Sequence, residues 1–136
     1  MTDRLSKERR SWNMAQIRAM NTEPELVVRS VLHNLGYRFR VHSRKLPGRP
    51  DIVLPKWELV VQVHGCFWHR HKGCKFAYTP KTRTEFWKNK FAQNVERDCR
   101  THRKLRRLGW RVVTVWECQV CDLQRLSKRL DARIKA

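Results

Sequence analysis

The nearly continuous apolar run from Trp57 to Val63 is the feature that most restricts what this chain can fold into. A strand with so few polar positions is typical of the centre of a sheet that is covered on both faces. A second run rich in β-branched residues, Asp51 to Leu54, precedes it across Pro55-Lys56, so the two runs are expected to form a hairpin. Trp110 to Trp116 predicts another buried strand, and the alternation from Tyr37 to Val41 predicts a further one.

Three helices are predicted around these strands. Thr22 and Glu25 have the spacing of a capping box, and the helix that they begin is expected to end at Gly36. The segment from Thr82 to Leu108 contains no Gly or Pro and predicts a long helix, and Leu123 to Ile134 predicts a closing amphipathic one. The positions expected to face the core are Leu26, Val27, Ser30, Val31 and Leu35 in the first helix, and Phe91, Val95, Cys99, His102 and Leu105 in the long one.

The order of these elements predicts a single α/β domain over residues 1–136. Hairpin-joined strands combined with a helical crossover indicate a mixed central sheet flanked by helices. Residues 1–20 carry five basic and two acidic side chains with scattered apolar ones, so we expect a basic arm or a short helix there. Residues 64–80 are rich in His, Cys, Gly and aromatic residues and fit neither period, which predicts an irregular loop.

The charge of the chain indicates a polyanionic partner. The sequence has 31 Lys and Arg against 12 Asp and Glu, a formal net charge of +19, and its 40% hydrophobic content is too high for a disordered basic tail. No apolar run approaches the roughly 18 residues of a bilayer span, and the first residues lack the apolar region of a signal peptide. We therefore expect a soluble cytoplasmic protein that binds nucleic acid rather than a membrane. Five Cys in such a chain favour metal binding or burial over a disulfide framework.

Asp51 is the first candidate for chemistry. It follows Pro50 and lies twelve residues before Val63 on the next strand of the hairpin. An acidic side chain at the mouth of one strand, beside polar groups at the end of its neighbour, can hold a divalent metal ion against a scissile phosphate. Gln62-Val63-His64 occupies the second position here. The alternative is an Asp that only closes a turn, since Pro-Asp is common at turns.

The segment from His64 to Cys74 concentrates possible metal ligands. Three His and two Cys fall within eleven residues. Donors of this kind suit a tetrahedral zinc ion, and a fourth ligand could come from Cys118 or Cys121 after the last strand. The alternative is a mixture of solvated His and buried thiols. Within the segment, His69 is a candidate general base because an unperturbed imidazole titrates close to neutral pH.

Aromatic side chains among basic ones indicate how a duplex could be held. Phe67 and Trp68 lie in the irregular segment, and Trp87 lies near the start of the long helix. Flat side chains of this kind can insert between base pairs and kink the duplex. The alternative is that they belong to the core, which is the position we expect for Phe86.

The long helix also carries polar candidates. Asn94 and Asp98 lie four residues apart with Arg97 between them, so Asp98 could face a metal-bound water while Asn94 and Arg97 contact DNA. The alternative is a solvated, charged helix. Glu25, near the start of the first helix, either contributes to the same site or only caps its helix.

These motifs resemble, over essentially the whole chain, those of the very-short-patch repair (Vsr) DNA mismatch endonucleases. A series of this length in one order is highly specific. The matching segments are Ser11-x-Asn13-Met14, Leu46 to Asp51, His64 to His69, Thr82-Arg83-x-x-Phe86-Trp87, Asn94-x-x-Arg97-Asp98, Gly109 to Val112 and Val115 to Cys118.

The resemblance implies a magnesium-dependent endonuclease of restriction-endonuclease-like fold that nicks one strand beside the T of a T:G mismatch, the product of 5-methylcytosine deamination. It implies Mg²⁺ at Asp51 and at the main-chain carbonyl of Val63, with His69 activating water. The protein would act as a monomer on double-stranded DNA, followed by other repair proteins. The further residues that the resemblance implies are Glu25, His64 and Asp98 around the metal waters, Cys66, His71, Cys74 and Cys118 at zinc, and Phe67, Trp68, Trp87 and Met14 as wedges at the mismatch.

One departure from the family affects the zinc ligands. The His71-x-x-Cys74 spacing is one residue longer than the family's His-x-Cys, and Cys121 is a rival to Cys118. Two other functions also stay open: a zinc-stapled nucleic-acid-binding module without catalysis, and a restriction-type nuclease that cuts both strands of paired DNA. Mg²⁺-dependent nicking distinguishes the first of these, and a comparison of T:G with C:G duplexes distinguishes the second.

Overall fold

The computed structural model of the protein describes residues 22–136. The basic segment predicted over residues 1–20, which includes Met14, lies outside this range. Single 3₁₀ turns follow the second and fourth strands of the described part, at Pro55–Trp57 and Glu117–Gln119. The helices are α1 (Glu23–Asn34), α2 (Thr84–Arg107) and α3 (Leu123–Lys135), and the strands are β1 (Arg40–Val41), β2 (Ile52–Leu54), β3 (Leu59–His64) and β4 (Arg111–Trp116).

The strands form one mixed sheet in the order β1-β2-β3-β4. β1 and β3 each pair with β2 in antiparallel fashion, whereas β3 and β4 are parallel and α2 forms the crossover between them. In this register Val41 lies opposite Ile52, and Val63 lies opposite Val115. The predicted hairpin and the predicted mixed sheet flanked by helices are confirmed.

The core lies on both faces of β3, as its apolar run predicts. Leu59 and Val61 are buried in the cluster that α1 and α3 cover. Val60 is buried on the opposite face with Val53 and Leu105 of α2, because successive side chains of a strand point to opposite faces. Full burial of each such side chain contributes about 1.5–3 kcal/mol, so β3 forms a rigid base for the residues at its C-terminal end.

The first predicted strand is shorter in the structure than the alternation from Tyr37 to Val41 suggests. The Tyr37 N–H donates to the carbonyl of Leu32, so this residue completes the cap of α1 instead of starting a strand. Its hydroxyl donates to Asp131 of α3. Only Arg40–Val41 pairs with β2.

The buried face of α1 differs from the predicted apolar face. Leu26 is exposed, and Val28 and Glu25 are buried instead. Glu25 faces inward because its carboxylate contacts the side chains of Arg29 and His42. Electrostatic pairing therefore overrides the apolar periodicity in the first turn of this helix.

The buried face of α2 also includes polar residues. Phe91 is buried as predicted, but Val95 and Cys99 are exposed and Asn94 is buried. The Asn94 side chain donates to the carbonyl of Trp68 at 3.0 Å, which turns this face of the helix towards the irregular loop. Among residues 22–136, no helix is both long and apolar enough to span a membrane.

Candidate active site

Asp51 lies immediately before β2, beside the C-terminal end of β3. The antiparallel register that pairs Ile52 with Val61 brings it there, and its Oδ2 accepts a hydrogen bond from the Val63 N–H at 2.7 Å. Burial raises the pKa of Asp51 to about 6, although the Val63 N–H favours the charged form. The ionised carboxylate is therefore poorly stabilised at this buried position, and a bound cation would stabilise it.

Glu25 brings a second carboxylate to Asp51 from the first turn of α1. Its main-chain N–H donates to Thr22 Oγ1 at 3.4 Å, which caps the helix. Its carboxylate does not take part in the cap, because Oε2 lies 3.0 Å from His42 Nε2 and 3.2 Å from a guanidinium nitrogen of Arg29. One ligand atom each from Glu25, His42 and Asp51 lie within 4.8 Å of one another, so the three side chains could hold a metal ion together.

A second set of possible metal ligands, His64, His69 and Asp98, joins the end of β3 to the middle of α2. The Nδ1 of His69 lies 2.7 Å from Oδ2 of Asp98, and since a carboxylate only accepts, the imidazole donates. The His69 ring also stacks on His64, with 3.9 Å between ring centroids and 7° between planes. One ligand atom from each of these three residues falls within 4.8 Å of the others.

Burial and charge set the protonation of this group. Burial, together with the charge of His69, lowers the pKa of His64 to about 3, so His64 is neutral at physiological pH. Burial alone would raise the pKa of Asp98, but the hydrogen bond and the charge of His69 outweigh it and hold that pKa below its usual range. Asp98 is therefore ionised and orients the His69 ring.

A separate group of soft ligands lies in the loop after β3 and in the 3₁₀ turn after β4. His71 Nδ1 lies 3.7 Å from the Sγ of Cys66 and 3.4 Å from the Sγ of Cys118, and Cys74 completes a set whose ligand atoms all lie within 4.8 Å. Cys121 is exposed and does not belong to this set. Burial raises the pKa of the Cys66 thiol to about 12. A bound metal ion would lower this pKa, because it stabilises the thiolate.

The extra residue between His71 and Cys74 is accommodated by a turn. Gly73 adopts a left-handed conformation with φ of +74°, which a residue with a Cβ adopts only with strain. The Cys74 N–H then donates to the His71 carbonyl at 3.3 Å. The longer spacing therefore still brings both side chains to the same point.

Aromatic rings of the same loop pack against the start of α2. Phe67 is the centre of this cluster, with its ring centroid 5.0 Å from Trp68 and 5.5 Å from Trp87. Phe91 and Tyr78 lie 5.1 Å from it on other sides. Phe67 and Trp68 are half-buried, so the cluster is partly covered by its own members and partly open to a ligand.

The expectation of a core position for Phe86 is wrong. Its side chain is 46% exposed, and Arg83 lies over the ring at 4.3 Å from the centroid. α2 begins at Thr84, so Phe86 falls on the outer side of its first turn. By contrast, Asn94, considered above as a DNA contact, is buried; its Oδ1 accepts from the exposed Arg97.

Comparison with known proteins agrees with these motifs. The family model described as DNA mismatch endonuclease Vsr matches residues 2–75. The chain is also 45% identical over 127 residues to the DNA mismatch endonuclease Vsr of Escherichia coli, a match that covers 93% of this chain and 81% of that protein. This chain belongs to the Vsr family of DNA endonucleases. Its sheet and helices accordingly represent a restriction-endonuclease-like fold.

Other Vsr-family relatives are named as nicking enzymes. The type II nicking enzyme V.XorIIP of Xanthomonas oryzae pv. oryzae is 53% identical over 130 residues, which is 96% of this chain and 95% of that protein. The type II nicking enzyme V.NmeAIP of Neisseria meningitidis is 38% identical over 135 residues, which is 99% of this chain and 96% of that protein. The similarity therefore extends well beyond the residues that the family model matches.

Sequence reasoning did not identify His42, a further residue of this candidate site in the Vsr-family chain. Asp51, Glu25, His64, His69 and Asp98, all proposed from sequence, are brought into two adjoining groups. His42 follows β1 directly, and the hairpin pairing, continued by one position, would have placed it opposite Asp51. The missing information was the pairing of β1 with β2, which a two-residue strand does not reveal.

Proposed function

We propose that this Vsr-family protein nicks one strand of duplex DNA beside the T of a T:G mismatch, using Mg²⁺ held at Asp51. The observation that carries the proposal is the juxtaposition of a buried carboxylate site with an imidazole whose Nδ1 proton is held by Asp98. In phosphodiester hydrolysis, a bound cation can stabilise the charge of the phosphate and a positioned general base can activate the attacking water. The family names support the mismatch as the substrate.

The residues around Asp51 fit a hard divalent cation. The carboxylate of Asp51 and the main-chain carbonyl of Val63 would supply oxygen ligands, which Mg²⁺ prefers. When bound there, Mg²⁺ would polarise the scissile phosphate and neutralise charge in the transition state. Glu25, His64 and Asp98 would hold water molecules around the ion by hydrogen bonds, and a neutral His64 is suited to accept one.

His69 is proposed as the general base. With its Nδ1 proton donated to Asp98 at 2.7 Å, the neutral ring keeps a lone pair on Nε2. That nitrogen would accept the proton of the attacking water, and Asp98 would stabilise the imidazolium that forms. The stacking on His64 limits rotation of the ring and keeps Nε2 directed at the reaction.

Mismatch selectivity is proposed to come from the aromatic cluster. Charge attracts the protein to any duplex but does not distinguish base pairs. Insertion of Phe67, Trp68 and Trp87 unstacks a step, which costs a few kcal/mol and costs least where the pair is already damaged. Met14, outside the described residues, is proposed to act from the other groove. Arg97 is proposed to contact a DNA phosphate. The predicted contact between Asn94 and DNA stays a prediction.

Zinc is proposed to hold in place the loop that carries both the proposed general base and the aromatic side chains proposed to insert at the mismatch. Three thiols and one imidazole match the ligand set of a closed, tetrahedral zinc site. The site joins residues 66–74 to Cys118, and His69 and the Phe67-Trp68 pair lie within that segment. A single active site suffices for one strand, so we propose that the protein acts as a monomer.

The test uses duplexes labelled separately on each strand. Wild-type protein with Mg²⁺ should nick only the T strand of a T:G duplex, with little cleavage of the matched C:G duplex. Cleavage of both strands at the C:G site would support a restriction-type nuclease, and binding without any Mg²⁺-dependent nicking would support a binding module. Varying the bases that flank the mismatch would then define the sequence context.

A further inference from the structure

The pairing of β1 with β2 brings His42 beside the carboxylates of the proposed cation site. Val41 lies opposite Ile52 in the last pair of the ladder, and just beyond it the His42 N–H donates to the Asp51 carbonyl at 3.1 Å. His42 itself has left the strand, because its backbone lies in the left-handed region with φ of 48°, so its ring is placed by its contacts and not by strand alternation. The main-chain hydrogen bond holds His42 next to Asp51, and a ring nitrogen of His42 lies within 4.8 Å of an Asp51 carboxylate oxygen.

The His42 ring nitrogen is also within reach of a second acidic side chain. Nε2 lies 3.0 Å from Glu25 Oε2 and 3.4 Å from a guanidinium nitrogen of Arg29. Nε2 cannot make both hydrogen bonds at once: it donates to Glu25 in the tautomer that carries its proton there, and it accepts from Arg29 in the other tautomer. The tautomer with an unprotonated Nε2 is the one that binds metal ions through this atom, and two carboxylates against one guanidinium leave the group negative overall.

We propose that Nε2 of His42 is a direct ligand of the divalent cation held at Asp51, beside Glu25, so that the site favours Mn²⁺ over Mg²⁺. This rests on the cation site of the proposed function and adds a nitrogen ligand to it. Mg²⁺ is a hard ion that takes oxygen ligands, whereas first-row transition ions accept imidazole readily. One ligand atom from each of the three side chains lies within 4.8 Å of the others, so an ion at Asp51 would be within reach of His42 and would have Glu25 beside it.

The experiment measures metal binding without DNA, so it does not depend on nicking. Zinc-loaded protein is titrated with Mn²⁺, followed by electron paramagnetic resonance, and Mg²⁺ is then added as competitor. His42→Gln replaces the nitrogen with an amide oxygen and retains an N–H that can donate to Glu25. His33→Gln, at an exposed position of α1, is the matched control, and Asp51→Asn shows which signal belongs to the site.

The wild-type protein should bind Mn²⁺ more tightly than Mg²⁺, and His42→Gln should reduce that ratio at least roughly tenfold, since changing even a residue that only supports a metal ligand costs about 10–100-fold in metal affinity. His33→Gln should leave the ratio unchanged. Pulsed measurements on the wild-type protein should detect hyperfine coupling between manganese and a nitrogen nucleus, and His42→Gln should abolish it.

Two results would overturn the proposal. If His42→Gln leaves the ratio of Mn²⁺ to Mg²⁺ affinity unchanged, His42 only positions Glu25. If wild-type protein shows no nitrogen coupling, or the coupling persists in His42→Gln, the nitrogen ligand is absent or comes from another residue. The pulsed measurement on wild-type protein applies even where the variant fails to fold. Failure of T:G nicking alongside a normal nitrogen coupling would count against the proposed function and not against this ligand.

Discussion

His69 donates a hydrogen bond from Nδ1 to Oδ2 of Asp98 at 2.7 Å, and this contact joins the loop after β3 to the middle of α2. The two residues are 29 positions apart in the sequence. Both side chains are only partly exposed, with 30% of the His69 side chain and 24% of the Asp98 side chain accessible to solvent. The pair therefore forms a fixed unit, and its chemistry depends on which ring nitrogen carries the proton.

Asp98→Asn should lower the rate of nicking by about 10²–10⁴-fold, the contribution typical of a general base. The amide can donate to Nδ1, which moves the ring proton to Nε2 and removes the lone pair that accepts a proton from water. Single-turnover nicking of a T:G duplex measures the effect. Glu96→Gln, an exposed change on the same helix, is the control. Equal rates for the two variants would mean that Asp98 does not orient a base.

The zinc ligands can be tested by metal content. One zinc ion per chain should copurify, Cys118→Ser should lose it, and Cys121→Ser should keep it, because only Cys118 lies with Cys66, His71 and Cys74. Loss of zinc should increase hydrogen exchange across residues 64–80, since a structural zinc ion contributes folding free energy directly. Retention of zinc by Cys118→Ser would show that the fourth ligand lies elsewhere.

Trp68→Ala should reduce the preference for T:G over C:G much more than it reduces affinity for ordinary duplex. The ring belongs to the aromatic cluster with Phe67 and Trp87, and wedging is least costly at a weakened pair. Both affinities are measured at one fixed salt concentration, because phosphate contacts dominate the salt dependence. Phe76→Ala is the control, an exposed ring of the same loop that packs against Lys75. An equal loss of affinity on the two duplexes would mean that Trp68 only packs the loop.

A pH-dependent contribution to stability is expected from the contact between Tyr37 and Asp131. Burial, the hydrogen bond to Asp131 and its charge raise the pKa of Tyr37 from 10.0 to about 12. The raised pKa means that the folded state keeps the proton longer, so this stabilisation is complete below pH 10 and is lost between pH 10 and about 12. The difference in unfolding free energy between wild type and Tyr37→Phe should therefore shrink over that range in urea titrations. A constant difference would contradict the shift.

The central sheet was predictable from sequence because the apolar run of β3 determines its burial on both faces. The same logic failed at Glu25 and Asn94, which occupy inward positions of α1 and α2 where periodicity favours apolar residues. Both are held there by hydrogen bonds to distant parts of the chain, His42 and the carbonyl of Trp68, and such partners are set by the fold. The choice between Cys118 and Cys121 was equally beyond the sequence, since the 3₁₀ turn after β4 decides which of them faces the loop.

Strand-specific nicking of a labelled T:G duplex by wild-type protein and Asp51→Asn in Mg²⁺ is the decisive experiment. The Asn side chain still offers an oxygen to the Val63 N–H, which Asp51 binds at 2.7 Å, so the local fold should be retained. Its missing charge should remove the cation and abolish nicking, while affinity for the duplex measured without Mg²⁺ stays close to that of the wild type. Nicking by Asp51→Asn at a rate near that of the wild type would contradict a cation-dependent active site at Asp51.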